Sequence, residues 1–398
     1  MKLIAASICA LALAASPGRA ADPVVARAPD PVIGVLYPST GPGAAARQAV
    51  AVAVDIVNAT HDPIPVLMGS GGGLPRLGGA KLSVVYADDG GDPAHAAAAA
   101  EQLLAAGAVA LAGGSSEANT AAISRVAEAR GLPFLSLDGA LPNPDGLTWF
   151  FRIARTPELE ARDLLRQIAA IATAHGRDLK TVALLFDATP AGRADSEPVR
   201  RAAEAEDVRL VDAPIPEGRA VPPSIIDALR TASPDAILSE RTDAALDAPL
   251  AAAGLAPLVR LAPDAPGPAA DGVFHALAFT LDPLPARPGV SVVDSAFKAR
   301  TGHSLDAGTA REITGILLLA NVIDRAGSTK PADLRIALMA TDTPGDQTLM
   351  LWNGIRFDAS GQNVLASSGL QQDQGGKRPI VAPDSIAVAA PLWPGPHP

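Results

Sequence analysis

Lys81–Asp138 reads KLSVVYADDGGDPAHAAAAAEQLLAAGAVALAGGSSEANTAAISRVAEARGLPFLSLD. Three short apolar runs, LSVVY, AVALAG and LPFLSL, alternate with two helical patterns. Each run is too short for a helix and suits a strand buried on both faces. The first helix starts with Asp92 as N-cap and Pro93 at its first position, and ends at Gly107. The second starts near Ser116–Asn119 and stops at Gly131. This is β-α-β-α-β, the unit of an open parallel sheet. Such sheets bind ligands in the crevice beyond the carboxyl ends of their strands. The loops Ala87–Asp92, Gly113–Asn119 and Asp138–Asn143 are therefore expected to face one site.

Residues 1–20 have the form of a secretory signal peptide: Lys2, an apolar run from Leu3 to Ala15, then SPGRA before Ala21. Cleavage after Ala20 would put the mature chain in the periplasm. The only cysteine, Cys9, lies inside this leader, so disulfides and cysteine metal sites are not expected. Removing Lys2 and Arg19 from the 32 basic residues leaves 30 against 42 acidic, a net charge of −12. No basic patch stands out, which argues against nucleic acid and anionic membrane as partners. No apolar segment is long enough to span a bilayer. At 48% hydrophobic and 19% charged residues, the chain has the composition of a well-packed protein large enough for two domains.

The alternation extends in both directions from the opening stretch. VIGVLY (32–37) is a first strand, followed by a helix over 44–58. The Gly/Pro-rich run 59–80 reads as a flexible surface loop. Its GSGGG lacks the ending of a phosphate loop and precedes a strand instead of following one. After WFFRI (149–153), Thr156 caps a helix that runs to Gly176. A second β-α series then starts: TVALLFD, a helix over 190–206, VRLVD, a helix over 223–232, DAILSE, a helix over 242–253 and LVRLA. GVFHALAFTL is a crossing strand, followed by helices over 290–301, 307–326 and 331–340. Asn353-Gly354 between apolar runs signals a hairpin, and the end from Pro383 looks frayed.

Several segments, in order, resemble the landmarks of periplasmic receptors for branched-chain amino acids, the type I solute-binding proteins of ABC importers. They are VIGVLYPSTGPGAA, KLSVVYADDGGDP, FFRIARTPELEARDLL, VALLFDATPAGRA, DSAFKARTGHS and NVIDRAGSTKPADLRIAL. The resemblance implies an α/β fold of two doubly wound parallel-sheet lobes joined by three crossings, near Phe151, Ala278 and Leu351. One lobe would hold residues 31–150 and 279–350, the other 151–278 and 351–385, leaving 386–398 as a disordered tail. It also implies a ligand held between the lobes, an ABC permease as partner, a monomer, no cofactor and no catalysis.

The family's binding positions fall on Tyr37, Ser39, Ser115, Ser116, Glu117, Asn119, Asp138, Asp187, Arg241 and Asp264. Several of these depart from the family pattern. Glu117 and Asp138 put carboxylates where the ligand's carboxylate usually goes, and Ala140, Ala191 and Gly308 replace hydroxyl or aromatic groups. Like charges in a half-dry cleft repel. Branched-chain amino acids are therefore expected to bind weakly, and a cationic or hydrogen-bond-donating group is expected to face the first lobe.

Other functional readings are weaker. Asp88, Asp89 and Asp92 read as a strand-end turn and a cap instead of a metal loop. The six histidines are scattered. Ser295-Ala-Phe-Lys298 matches S-x-x-K without its companion motifs. A sensor on the same fold and a hydrolase using Glu117 and Asp138 are the alternatives to a transport receptor.

Overall fold

The computed structural model describes residues 27–137, 146–216, 218, 220–241, 246–255, 258–261 and 271–393. The leader, Asp138, Ala140 and Asp264 lie outside them. The first lobe begins β1 (Val32–Leu36), α1 (Pro42–Asn58), β2 (Ser83–Ala87), α2 (Pro93–Ala105), β3 (Ala108–Gly113), α3 (Glu117–Arg130), β4 (Phe134–Ser136) and β5 (Phe150–Arg152). Among the described residues its sheet has the order β2-β1-β3-β4-β5 with parallel pairing throughout. Local signals start and stop these helices. Asp92 Oδ1 accepts from the amides of Ala94 and His95 at 3.0 and 3.1 Å, and Ser116 Oγ accepts from Asn119 N at 3.2 Å. Gly131 closes α3 at φ +60°.

The second lobe continues with α4 (Pro157–Ala174), β6 (Thr181–Asp187), α5 (Pro190–Asp195), α6 (Glu197–Ala205), β7 (Arg209–Ile215), α7 (Pro223–Ala232), β8 (Ala236–Ser239), α8 (Asp247–Ala252), β9 (Leu258–Arg260) and β10 (Phe274–Leu277). The chain then returns to the first lobe for α9 (Val290–Thr301), α10 (Ala307–Ala326) and α11 (Pro331–Met339). A small ladder, β11 (Thr343–Pro344) with β12 (Gly354–Ile355), precedes β13 (Gly369–Gln372) and β14 (Ile380–Ala382). The second sheet runs β14-β13-β10-β9-β8-β6-β7, with β13 and β14 antiparallel at its edge.

Each sheet is covered on both faces. Ile33, Val35, Leu317 and Leu318 belong to one core of the first lobe, and Leu103, Leu111 and Phe134 to the core on its other face. In the second lobe Leu164, Leu184 and Phe186 fill one side, Leu185, Ile215 and Ile237 the other. This double burial explains why the strands read as continuous apolar runs.

The chain passes between the sheets at three described places, and these passages are tied together. Leu351 N donates to Ala278 O at 3.3 Å, Arg152 N to Gly361 O at 2.8 Å, and Asn363 N to Arg152 O at 3.0 Å. Asn363 Nδ2 also reaches Ile153 O at 3.0 Å from a fully buried position.

Four local expectations need correction. The run 59–80 is built into the first core, with Leu74 fully buried. The amides of Gly72 and Gly73 donate to Ala59 O and Val57 O, satisfying carbonyls at the end of α1. The helix expected over 190–206 breaks at Ser196 into α5 and α6, because Pro198 fits only near a helix start. Asn353-Gly354 makes no hairpin turn; Gly354 is a ladder residue at φ +155°, where a Cβ would lie 2.3 Å from Thr343 O. The turn lies at Asp358–Gly361 instead, below the Phe357–Asn363 bridge. Finally, the expected tail is anchored where it is described: Ile386 is buried and Val388 N donates to Ile380 O at 2.9 Å, while 394–398 lie outside the described residues.

Candidate functional site

Both lobes carry a cavity at the carboxyl edge of their sheet, where strand-end loops and helix starts converge. The first-lobe cavity, about 320 Å³, is bounded by Tyr37 after β1, Gly114 and Ser115 after β3, and Gly308, Thr309 and Arg311 at the start of α10. Asp306 and Thr309 cap α10 reciprocally: Asp306 Oδ1 accepts from Thr309 N at 2.7 Å, and Thr309 Oγ1 from Asp306 N at 2.9 Å. Gly308 faces open space, with only Asp306 Oδ1 near an added Cβ.

Ser115 is committed to the protein. Its hydroxyl donates to the fully buried Asp89, and it accepts from Asn119 Nδ2 at 3.1 Å. With its O–H directed at Asp89, the Ser115 oxygen offers any cavity occupant a lone pair only. That suits a donor and opposes a carboxylate. Ser116 is the α3 cap, and Asn119 is buried behind Ser115.

Ser39 is exposed; Asp88 Oδ2 accepts from its amide at 3.1 Å. Hydrogen bonds from Ser39 and Gly90 hold the Asp88 carboxyl below the usual range. Glu117, expected to project into the crevice, occupies the first position of α3 and is exposed. It lines neither cavity, because a side chain there radiates from the helix start into solvent.

The second-lobe cavity, about 340 Å³, lies between α4, α5, α6 and the ends of β6 and β8. Leu164, Val199 and Leu261 give it an apolar wall, and Glu160, Asp187, Asp195 and Glu240 bring carboxyl groups to it. Asp187 and Arg241, both expected as ligand contacts, face each other at 3.5 Å. Glu160 on α4 is pushed up by desolvation; Arg155, a hydrogen bond with Ser368 and the field of Arg311 oppose the shift, while Asp163 adds to it. Arg311 thus acts on Glu160 from the other lobe, and its Nε meets no partner among the described residues.

Burial first, then Asp195, raise the Glu240 carboxyl to about 7; Arg200 opposes the shift and Asp187 adds a smaller push. Glu240 is a cavity residue that the sequence pattern does not single out; it directly follows β8 and precedes Arg241. Asp89 makes the expected turn contact, accepting from Gly91 N at 3.3 Å, and also anchors Ser115.

Two α/β lobes, with a cavity on each sheet edge and three passages between them, define a two-lobed protein with a cleft. The family model for periplasmic binding proteins matches residues 31–377, and the chain belongs to that family. No protein of curated function matches by sequence.

Solved structures share the type I fold at low identity. A putative branched-chain amino acid ABC transporter protein from Rhodospirillum rubrum is 22% identical, with a TM-score of 0.69 over 88% of this chain and 100% of that one. An ABC transporter substrate-binding protein from Desulfitobacterium hafniense, complexed with Leu, is 19% identical, with a TM-score of 0.61 over 88% and 99%. A solute-binding protein from R. palustris in complex with benzoate is 20% identical, with a TM-score of 0.58 over 90% and 98%.

Proposed function

We propose that this chain is an extracytoplasmic receptor that captures a small polar molecule between its lobes and delivers it to an ABC importer. The observation that carries this reading is the pair of cavities, one at the carboxyl edge of each lobe's sheet. Family membership supports it, as do relatives of the same fold solved with leucine and with benzoate. Residues 1–20 would be removed on export, leaving the mature chain in the periplasm as a monomer. No helix among the described residues is long and apolar enough to cross a membrane. Of the pair in the hydrolase reading, Glu117 is exposed and lines neither cavity, and Asp138 lies outside the described residues.

A thermal-shift screen of the mature chain tests the proposal. Amino acids, amides, polyamines, aromatic acids and other organic cations form the panel. At least one is expected to raise the melting temperature in a concentration-dependent way, since a ligand that binds only the folded state stabilises it by RT ln(1 + [L]/Kd). A panel without any stabilising compound contradicts the proposal.

A further inference from the structure

We propose that the second-lobe cavity is a subsite for an organic cation, with the Glu240 carboxylate as its counter-ion and Leu164, Val199 and Leu261 as the wall for its hydrocarbon part. The inference deepens the receptor reading and rests on it. Two observations carry it. The first is the cavity, which combines an apolar wall with a few convergent polar groups, as small-molecule sites do.

The second is a charge imbalance within it. Around Glu240 stand Glu160 from α4, Asp187 from the end of β6, Asp195 from α5, Arg200 from α6 and its neighbour Arg241. The cations are engaged elsewhere. Arg241 faces Asp187, and Arg200 pairs with Asp212 and Glu197. Arg155 and Arg311 act on Glu160. Glu240 and Asp195 make no ion pair or side-chain hydrogen bond among the described residues, and the Asp195 charge raises the cost of ionising Glu240. A half-buried carboxyl without a partner is unfavourable in its charged form. A cation in the cavity would remove that cost and donate charge-assisted hydrogen bonds to the carboxylate. An anion would face carboxylates on this side and the lone pair of Ser115 on the other.

Three compounds with one carbon skeleton separate charge from shape: 3-methylbutylamine, 3-methylbutanamide and 3-methylbutanoate. Calorimetric titration of the mature chain at about pH 7.5 should give an affinity for the amine at least about tenfold above the other two. Glu240→Gln should weaken amine binding by about tenfold or more while leaving the melting temperature at or above that of the parent. The amine stays protonated between about pH 6 and pH 8, whereas the free Glu240 carboxyl titrates there. Amine affinity should therefore rise about tenfold over that interval in the parent and stay flat in the variant.

Equal or tighter binding of the acid or amide overturns the inference. So does undiminished amine binding by Glu240→Gln, or no amine binding up to about 10 mM. Acid or amide binding with a decrease in radius of gyration would leave the receptor reading standing without the cation. Amine binding at Glu240 without that decrease would support the subsite and count against lobe closure.

Discussion

Glu240 shows how one side chain can serve binding and oppose folding. Its carboxyl is raised from 4.5 to about 7 by burial and by Asp195 and Asp187. Between those values the folded chain holds more protons here than the unfolded chain, so folding weakens as pH rises through the window. Glu240→Gln is expected to gain stability over the parent between about pH 5 and about pH 8, measured by urea unfolding at both; an unchanged difference would contradict the assignment. Asp373 behaves in the opposite way. Burial alone would raise its carboxyl, but His275 at 2.8 Å and Arg378 at 2.7 Å hold it low. Its contribution is complete above the unfolded carboxylate value and is lost as pH falls through the lower folded one. Asp373→Asn, which leaves buried partners facing an amide, should cost about 3–5 kcal/mol near neutral pH and less in acid. Denaturant titrations of parent and variant at the two pH values check this.

At the scale of elements, the caps are the most local devices. Asp92→Ala removes the acceptor for two α2 amides and should cost about 1 kcal/mol in urea unfolding, without altering ligand affinity. Asn363 has a longer reach. Its side chain holds Ile153 O and accepts from Arg356 N and Leu365 N at 3.0 and 3.1 Å, joining one passage between the lobes to another. Asn363→Ala leaves buried backbone groups unpaired and should cost about 2–4 kcal/mol, read from the same kind of unfolding curve. The difference between these two residues explains what could be read from sequence. Asp92, Ser116 and Thr156 act within one turn of their own helix, so residue order reveals them. Leu74 belongs to the same core as residues of α1 and α10, and Gly354 is required by the approach of Thr343, so neither role is visible without the tertiary contact. Pro198 marks a helix start in the sequence itself, and the structure divides the expected single helix just before it.

At the scale of the whole molecule, β-α alternation and its restart after Ile153 specified two lobes, because strand and helix periods are local patterns. Of the three loops expected at the crevice, the one after β3 borders the first-lobe cavity through Gly114 and Ser115, and 138–143 lies outside the described residues. Which side chains enter the crevice did not follow, since that depends on helix phase and partners: Glu117 turns outward, Ser115 is claimed by Asp89, and Glu240 is left without a counter-ion. The same arrangement argues against leucine. The Ser115 proton is unavailable to a carboxylate, and Gly308 and Ala191 supply no ring to cover a side chain. Calorimetry is expected to find leucine binding no tighter than about the micromolar range, and sub-micromolar affinity would contradict this account of the site. The central claim is that a small molecule is enclosed between the lobes. Small-angle scattering of the mature chain, with and without the compound giving the largest thermal shift, tests it most directly. A smaller radius of gyration on saturation is predicted; a value unchanged at saturation would contradict the claim.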